Sequence, residues 1–546
     1  MPLSSSLFFS FICSLSICMA LIPVLMAHAP RLQFVDLPGG RKQHAQPIAR
    51  VGGVAIVLGT IAAILLWLPH DTLVIGTLLG GGVIFAFGLW DDRANLHYGL
   101  KFSGQLLAAV LVIGIGGVQF HALPFLDDQV LSNWISLPLT LIFIMAVTNA
   151  INLSDGLDGL AGGLSLLSFL AMAYLAYVAD ESTMTIMIVA MSGGLLGFLR
   201  FNTYPAKIFM GDGGSQFLGF NLAVAAIVLT DMDHGPYSTA LIPLLLGLPI
   251  LDTVGVMGLR LIEGRSPFQA DRNHIHHKLM SLGWTHYETV VLIYLAQGIL
   301  VGLACVLRLH TDAMAVGSYG VLAATILATF LLAKPGGGWQ PIVATLHTLS
   351  ASLRTPQIAD GWASRLPLRL LALLVPLLLA AGTCLPITVP RDVSLLSAGL
   401  MTALAASRLV GPRYQAWLIR GSLYIGSTCL AYAIESTARQ ENWTGFPLAN
   451  VGFLAFGVLV VCAIRFDDAH RFRTTPLDYL VVFLAFMATL LPELHWEGIP
   501  LGSLAAKLTI LFFSFELLLH SAESQVTRLG FLSLWVLGGL AARSLW

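Results

Sequence analysis

Long apolar runs recur along the whole 546-residue chain. Each run spans roughly 17–22 residues, which is the length that a helix needs to cross a bilayer. About eleven runs precede Leu332, and about seven more lie between Leu366 and the C-terminus. Only 10% of the residues are charged, against about 25% in soluble chains. The sequence therefore predicts an all-α fold, a polytopic transmembrane helix bundle in contact with membrane lipid.

Lys and Arg are distributed unevenly between alternate loops. If the N-terminus lies outside, sixteen of them up to residue 369 fall on inner loops, whereas Arg308 alone falls on an outer loop. Cytoplasmic loops are enriched in Lys and Arg, so this asymmetry sets the orientation. The first run has no Lys or Arg before Arg31, which favours a retained span over a cleaved signal peptide. The net charge of −1 provides no basic field for nucleic acid.

A polar stretch separates the two groups of apolar runs. It begins at Lys334-Pro335-Gly336-Gly337-Gly338, a composition typical of a linker. We therefore predict a first polytopic membrane domain over residues 1–333, a cytoplasmic linker over 334–365, and a C-terminal membrane bundle of unknown role over 366–546.

Carboxylates and amides concentrate in three of the predicted inner loops. They are Asp91 and Asp92; Asn149, Asn152, Asp155 and Asp158; and Asp212 within Met-Gly-Asp-Gly-Gly. Adjacent carboxylates repel each other unless a cation or a shared proton compensates them. The second set steps by three residues, so its members share one helix face. Asp212 lies in a glycine-rich turn, where one carboxylate can hold Mg²⁺ while the backbone faces phosphates.

Basic and aromatic residues occupy the neighbouring inner loops. Lys42 follows a Gly-Gly turn that can bind phosphates, although an ordinary positive-inside anchor explains it equally well. His274, His276 and His277 indicate either a metal site or a phosphate-binding site. Zinc would need a further ligand, so we favour phosphate binding, with Arg265 and Arg272 nearby. Asn202 and Phe209 flank a turn where an aromatic ring can stack on a flat base.

Two other classes of protein have this number of spans. A secondary transporter places its polar groups near the membrane midplane, in helices broken by Gly or Pro. A noncatalytic assembly subunit would tolerate Asn in place of each clustered Asp. All five polar clusters lie on one predicted face, which favours an enzyme that joins a water-soluble substrate to a lipid head group.

From Arg31 to Lys334 these motifs resemble the polyprenyl-phosphate N-acetylhexosamine-1-phosphate transferases, a family that includes the phospho-MurNAc-pentapeptide translocases. The resemblance implies a bacterial inner-membrane enzyme with its active site on the cytoplasmic face. Its substrates would be a UDP-sugar and undecaprenyl phosphate, its product UMP, and its cofactor Mg²⁺, with Mn²⁺ as an alternative. His-Ile-His-His resembles the GlcNAc-transferring branch, and a homodimer is left open.

The resemblance also implies roles for individual residues. Asp212 matches the metal ligand, with Asp92 as a second candidate ligand, and Asp91 or Asp92 would activate the lipid phosphate. Asn152, Asp155 and Asp158 match a helix end that contacts the nucleotide sugar. Asn202 and Phe209 match positions that hold uracil, and Arg265 and Arg272, with His274, His276 and His277, match the loop that binds the diphosphate or sugar. The resemblance thus implies that the three histidines, together with Asp155 and Asp158, are catalytic.

Overall fold

The computed structural model describes residues 3–36, 47–126, 130–230, 236–266, 273–332, 345, 348, 362–385, 387–389, 391–410, 412–441, 446–465, 475–491, 495–496, 498–521 and 523–543. These residues form helices and two short hairpins, which confirms the all-α polytopic class. Two compact units are formed, residues 1–344 with 475–480 and residues 345–474 with 481–546.

The first unit contains thirteen described α-helices, numbered in chain order. They are α1 (Leu3–His28), α2 (Gly52–Trp67), α3 (Thr72–Ala94), α4 (Tyr98–Gly116), α5 (Asn133–Ser154), α6 (Leu160–Val178), α7 (Ser182–Asn202), α8 (Gly211–Leu229), α9 (Ile242–Leu245), α10 (Gly247–Ile262), α11 (Ile275–Ser281), α12 (His286–Leu307) and α13 (Asp312–Leu332). A two-residue hairpin pairs β1 (Val35–Asp36) with β2 (Ile48–Ala49) in antiparallel register.

Helix α8 is the centre of this unit, because 94% of its apolar window is buried. Glycines permit the close packing around its N-terminus. A Cβ on Gly88 of α3 would lie 2.5 Å from Gly213 Cα, and a Cβ on Gly53 of α2 would lie 2.6 Å from Gly214 Cα. Small residues let membrane helices approach backbone to backbone. The starts of α2 and α8 and the end of α3 therefore meet at one end of the unit.

A sharp bend of 83° separates the Thr239–Leu245 segment from α10. The bend frees backbone groups that a straight helix would pair, and polar side chains from other helices satisfy them. Ser168 Oγ and Gln297 Nε2 donate to the Leu245 carbonyl at 2.8 and 3.0 Å, and Gln297 Oε1 accepts from Leu248 N at 3.2 Å. Broken membrane helices require such partners.

The second unit contains seven described helices and one hairpin. They are α14 (Trp362–Cys384), α15 (Arg391–Val410), α16 (Pro412–Gln440), α17 (Phe446–Arg465), α18 (Pro476–Thr489), α19 (Leu501–Ser521) and α20 (Glu523–Ala542), with β3 (His495–Trp496) paired to β4 (Ile499–Pro500). The first residues of α18 are grouped with the first unit. A core that includes Leu371, Leu430 and Phe515 is buried among these helices.

Within the described residues, eleven helices are long and apolar enough to cross a membrane, or twelve if the bent pair is one span. This count is lower than the roughly eighteen spans that the apolar runs predict. Part of the difference arises because α2 and α18 have only 16 and 14 residues, and because one predicted span is the bent pair.

Candidate active site

Helices α3, α4 and α8 bring two carboxylates and one ammonium group together. Lys101 of α4 forms an ion pair with Asp91 Oδ2 and lies 3.4 Å from Asp212 Oδ2. The Asp91 side chain is 2% exposed, whereas that of Asp212 is 29% exposed. One cation thus compensates two acids, and Asp212 is the acid with the more accessible oxygens.

Asp92 has a different environment from its neighbour. Its Oδ1 accepts from Asp212 N at 2.9 Å, and its Oδ2 accepts from Gly213 N at 3.1 Å. These are amides of the first turn of α8, which has no side-chain cap of its own. A carboxylate at this position satisfies orphan donors and complements the helix dipole. Asp92 therefore fixes the end of α3 against the start of α8.

The β2 strand and the segment before α8 complete this side of the site. Phe209 N donates to Ala49 O at 2.8 Å, and Phe209 O accepts from Gly52 N at 2.9 Å. Arg50 lies next to this connection, with its Nε 4.0 Å from Asp92 Oδ1 and its Nη1 3.9 Å from Asp36 Oδ1. The Phe209 backbone is thus fixed between β2 and the start of α2, and its side chain is half-buried.

The end of α5 contacts the start of α8 through amide groups. Asn152 Nδ2 donates to Ser215 Oγ at 2.8 Å. Asn149 exchanges hydrogen bonds with Gln105 of α4 at 2.8 and 3.2 Å, and Gln105 Nε2 also donates to Gln216 Oε1 at 3.1 Å. Asn149 and Asn152 therefore hold α4, α5 and α8 in a fixed arrangement.

The turn after α5 carries two further acids. Asp158 Oδ2 accepts from Ala206 N at 2.9 Å, whereas the side chain of Asp155 reaches solvent. Desolvation by the neighbouring residues, followed by the negative charge of Asp212, raises the pKa of Asp155 to about 7. The contribution of Asp212 is a repulsion between two negative charges, which a cation would relieve.

Asn202 is buried at the end of α7 and connects two loops. Its Oδ1 accepts from Gly159 N at 3.0 Å, and its Nδ2 donates to Ile208 O at 2.9 Å. Because both ends of the amide have backbone partners, Asn202 orders the turns around Asp158 and Phe209. The Asn202 amide is therefore already engaged and is not available to hydrogen-bond a uracil base.

A carboxylate that the sequence analysis did not single out holds His274 and the start of α11. His274 Nδ1 donates to Asp252 Oδ2 at 2.9 Å, and Ile275 N donates to Asp252 Oδ1 at 2.7 Å. Asp252 lies on α10, just beyond the bend, and is buried together with His274. A lone acid inside an apolar span is energetically costly unless it has a role. This isolated position is the sequence signal that could have identified Asp252.

His276 packs against the turn after α5. A Cβ on Gly156 would lie 2.5 Å from His276 Nε2, and the His277 ring centroid is 4.2 Å from that of His276. Burial, followed by the neighbouring His277, lowers the pKa of His276 to about 4. His276 is therefore neutral at pH 7 and contributes a hydrogen-bonding ring, not a positive charge.

The remaining predicted residues lie at the margins. Arg265 forms an ion pair with Glu263 at the exposed end of α10, with Nε 2.8 Å from Glu263 Oε2. Lys42 and Arg272 lie outside the described residues, as does most of the predicted linker.

The acids of this site can supply only some of the ligands that a magnesium ion needs. Among the residues that the structure describes, no group of three or more His, Cys, Asp or Glu side chains forms a ready metal cage. Mg²⁺ commonly uses one or two carboxylates, several waters and substrate phosphates. Asp212, accessible and near the solvent-reaching Asp155, fits that mode, whereas both oxygens of Asp92 already accept N–H groups.

Acids, amides and histidines at one end of a helix bundle define a membrane transferase that works on phosphate groups. The chain belongs to glycosyl transferase family 4, whose model matches residues 74–230. It is 35% identical over 289 residues to a probable undecaprenyl-phosphate N-acetylglucosaminyl 1-phosphate transferase of Bacillus subtilis, covering 52% of this chain and 80% of that relative.

Two further relatives have similar names and are matched over similar lengths. A decaprenyl-phosphate N-acetylglucosaminephosphotransferase of Mycolicibacterium smegmatis is 34% identical over 352 residues, which is 57% of this chain and 86% of that protein. An undecaprenyl-phosphate alpha-N-acetylglucosaminyl 1-phosphate transferase of Escherichia coli K12 is 30% identical over 282 residues, covering 50% and 76%. Each alignment leaves more than two-fifths of this chain unmatched.

We expect Asp252→Asn to lower kcat roughly 10–100-fold, the range typical of a residue that orients a functional group. Asn offers only one acceptor oxygen, so either the His274 ring or the start of α11 loses its partner. Asp71→Asn is the control, because Asp71 caps α3 at the end away from Asp91 and Asn caps equally well. Initial rates of UMP release measure the effect, and an unchanged kcat would show that His274 needs no such support.

Proposed function

We propose that the chain transfers N-acetylglucosamine-1-phosphate from UDP-GlcNAc to undecaprenyl phosphate and releases UMP. The observation that carries the proposal is the meeting of Asp91, Lys101 and Asp212 at one end of the first unit. The printed activities of the relatives support the same reaction. We assign the activity to residues 1–333 and place the site on the cytoplasmic face of the bacterial inner membrane, because the Lys and Arg of this domain concentrate on the same loops.

The reaction joins two anions, so its main difficulty is electrostatic. An oxygen of the lipid phosphate attacks the phosphorus of the sugar-1-phosphate, and a new P–O–P bond forms. The bond from that phosphorus to the bridging oxygen breaks, and its electron pair leaves with UMP. Cations placed before the reaction lower the repulsion and stabilise the charge that develops in the transition state.

Individual residues divide this work. Lys101 holds one positive charge between Asp91 and Asp212, near the position where phosphates would meet. Asp212, with Asp155 beside it, would hold the Mg²⁺, which supplies charge neutralisation and orientation when bound. Asp92 holds the start of α8 in place. Phe209 provides a ring for uracil, and His274, oriented by Asp252, provides its second ring nitrogen to the diphosphate or sugar.

The test uses the full chain purified in detergent with undecaprenyl phosphate, UDP-GlcNAc and Mg²⁺. We expect UMP and a GlcNAc-diphospholipid in equal amounts, both abolished by EDTA and restored by excess Mg²⁺ or Mn²⁺. A parallel assay with UDP-GalNAc measures whether the enzyme distinguishes between the two sugars. Folded protein that releases no UMP with any UDP-sugar would refute the proposal. Movement of an intact UDP-sugar across proteoliposomes would instead establish a transporter.

A further inference from the structure

Arg50 brings a second positive charge, besides that of Lys101, to the acidic end of the first unit. Its Nε lies 4.0 Å from Asp92 Oδ1, and its Nη1 lies 3.9 Å from Asp36 Oδ1. Hydrogen bonds between a guanidinium and a carboxylate measure about 2.7–2.9 Å, so neither contact is one. Within the described part of the chain, no group accepts a hydrogen bond from the Arg50 guanidinium.

The backbone around Arg50 is fixed on two sides. Arg50 N donates to Phe34 O at 2.9 Å, which extends the β1–β2 hairpin by one residue. On the other side, Phe209 N donates to Ala49 O at 2.8 Å, and Gly52 N donates to Phe209 O at 2.9 Å. The position of the cation is therefore set before any ligand arrives. Such preorganisation lowers the entropic cost of binding and suits a group that stabilises charge.

The nearby acids do not occupy the donors of Arg50. Both oxygens of Asp92 already accept amide hydrogens from the start of α8, at 2.9 and 3.1 Å. Burial, and then the negative charge of Asp212, raise the pKa of Asp155, and the positive charge of Arg50 opposes this increase. Arg50 thus acts on these acids through its electric field, and its N–H groups remain available to another acceptor.

Arg50 is also accessible to a ligand. Its side chain is 33% exposed, whereas that of Asp92 is 1% exposed. Asp212, the candidate metal ligand, is 29% exposed. A guanidinium presents its N–H groups as a planar fork that matches two oxygens of one phosphate. The exposed side of the site therefore has a fixed cation with the geometry that phosphate oxygens require.

We propose that Arg50 binds a phosphate group of a substrate through two of its N–H groups. The proposal rests on the transfer reaction proposed above, which brings a nucleotide diphosphate and a lipid phosphate to this end of the first unit. Both substrates carry the same phosphate chemistry. The backbone connection between Ala49 and Phe209, the candidate ring for uracil, favours the diphosphate of the donor.

Kinetics and equilibrium binding of the purified full chain test the proposal. Arg50→Gln removes the charge, and Arg50→Lys keeps the charge without the fork. KM is measured separately for UDP-GlcNAc and for undecaprenyl phosphate, and the Kd of radiolabelled UDP-GlcNAc is measured without the lipid, so that no transfer occurs. We expect Arg50→Gln to raise KM and Kd for UDP-GlcNAc roughly 10–100-fold, the effect of a hydrogen bond between charged groups. Arg50→Lys should recover part of this loss.

Arg31→Gln is the matched control, because Arg31 is exposed in the turn between α1 and β1 and its loss removes one positive charge before the same hairpin. Its KM and Kd values should stay close to those of the wild type. The KM for undecaprenyl phosphate serves as an internal control in each Arg50 variant. A rise confined to that KM would assign Arg50 to the lipid phosphate instead of the donor, and would still support phosphate binding.

Two results would overturn the proposal. One is an Arg50→Gln enzyme with wild-type KM values for both substrates and a wild-type Kd. The other is an equal loss for both substrates with a lowered melting temperature, which would make Arg50 a structural residue only. Wild-type protein that binds UDP-GlcNAc but releases no UMP would refute the proposed transfer alone, because the Kd of Arg50→Gln would still decide whether Arg50 binds phosphate.

Discussion

Replacing Asp212 by Asn should slow UMP release about 1,000-fold or more, because removal of a preorganised charge at a phosphoryl-transfer site has effects of this size. Asn has the same shape and can still receive hydrogen bonds through its oxygen, so the helix start should persist. The charge facing Lys101, 3.4 Å away, is lost. The variant should also require more Mg²⁺ for half-maximal rate, since a neutral amide is a weaker ligand for a hard cation.

The comparison that isolates this effect is Asp180→Asn. Asp180 is exposed on the loop between α6 and α7, and its positive φ of 59° is a conformation that Asn tolerates well. The rate as a function of Mg²⁺ concentration is measured for both variants, with melting temperatures to check folding. An Asp212→Asn enzyme that keeps a tenth of the rate and the wild-type Mg²⁺ dependence would remove Asp212 from the metal site and direct attention to Asp155.

The sequence predicted the convergence of the site but not its internal contacts. Loops that share a charge bias must lie on one membrane face, so Asp91, Asp155 and Asp212 were expected near one another. The structure confirms the helix-bundle class and brings these three residues to one end of the first unit. Such reasoning works because the bilayer restricts each loop to one of two faces.

Contacts between particular helices could not be predicted in the same way. Asp92 caps α8 across 120 residues of sequence, and no local pattern reveals which helix end will lie beside it. The partnership of Asp252 with His274 likewise depends on the bend before α10, which redirects that helix. The signals that do exist are isolated polar residues inside apolar spans, such as Gln105 and Gln297. They indicate that a partner is needed without identifying it.

Close helix contacts at particular glycines could not be predicted either. The sequence has 53 glycines, and their number alone predicts close helix contacts. It does not distinguish Gly88, which contacts the backbone of α8, from Gly82 on the same helix, around which an added Cβ would meet nothing within 4 Å. The distinction depends on the rotation of α3 about its axis, which is set by the neighbouring helices.

Gly88→Ala should therefore lower kcat roughly 100-fold, as expected when catalytic groups shift by about 1 Å. The new Cβ would lie 2.5 Å from Gly213 Cα and 2.7 Å from Gly213 N, and neither backbone atom can rotate away. Relief requires α3 and α8 to separate by about 1 Å, which would restore an ordinary carbon–carbon contact. That separation pulls Asp91 and Asp92 away from the start of α8 and weakens both hydrogen bonds from Asp92. Overpacking of this kind also costs about 1–3 kcal/mol of stability.

Gly82→Ala provides the internal control on the same helix. Its Cβ meets open space, and alanine favours helix over glycine by about 1 kcal/mol, so its melting temperature should equal or exceed that of the wild type. Rates of UMP release and thermal unfolding are measured for both variants in the same detergent. A Gly88→Ala enzyme with wild-type activity and stability would mean that α3 and α8 pack less closely than the structure describes. The position of Asp92 as the cap of α8 would then have to be abandoned as well, because both depend on the same helix contact.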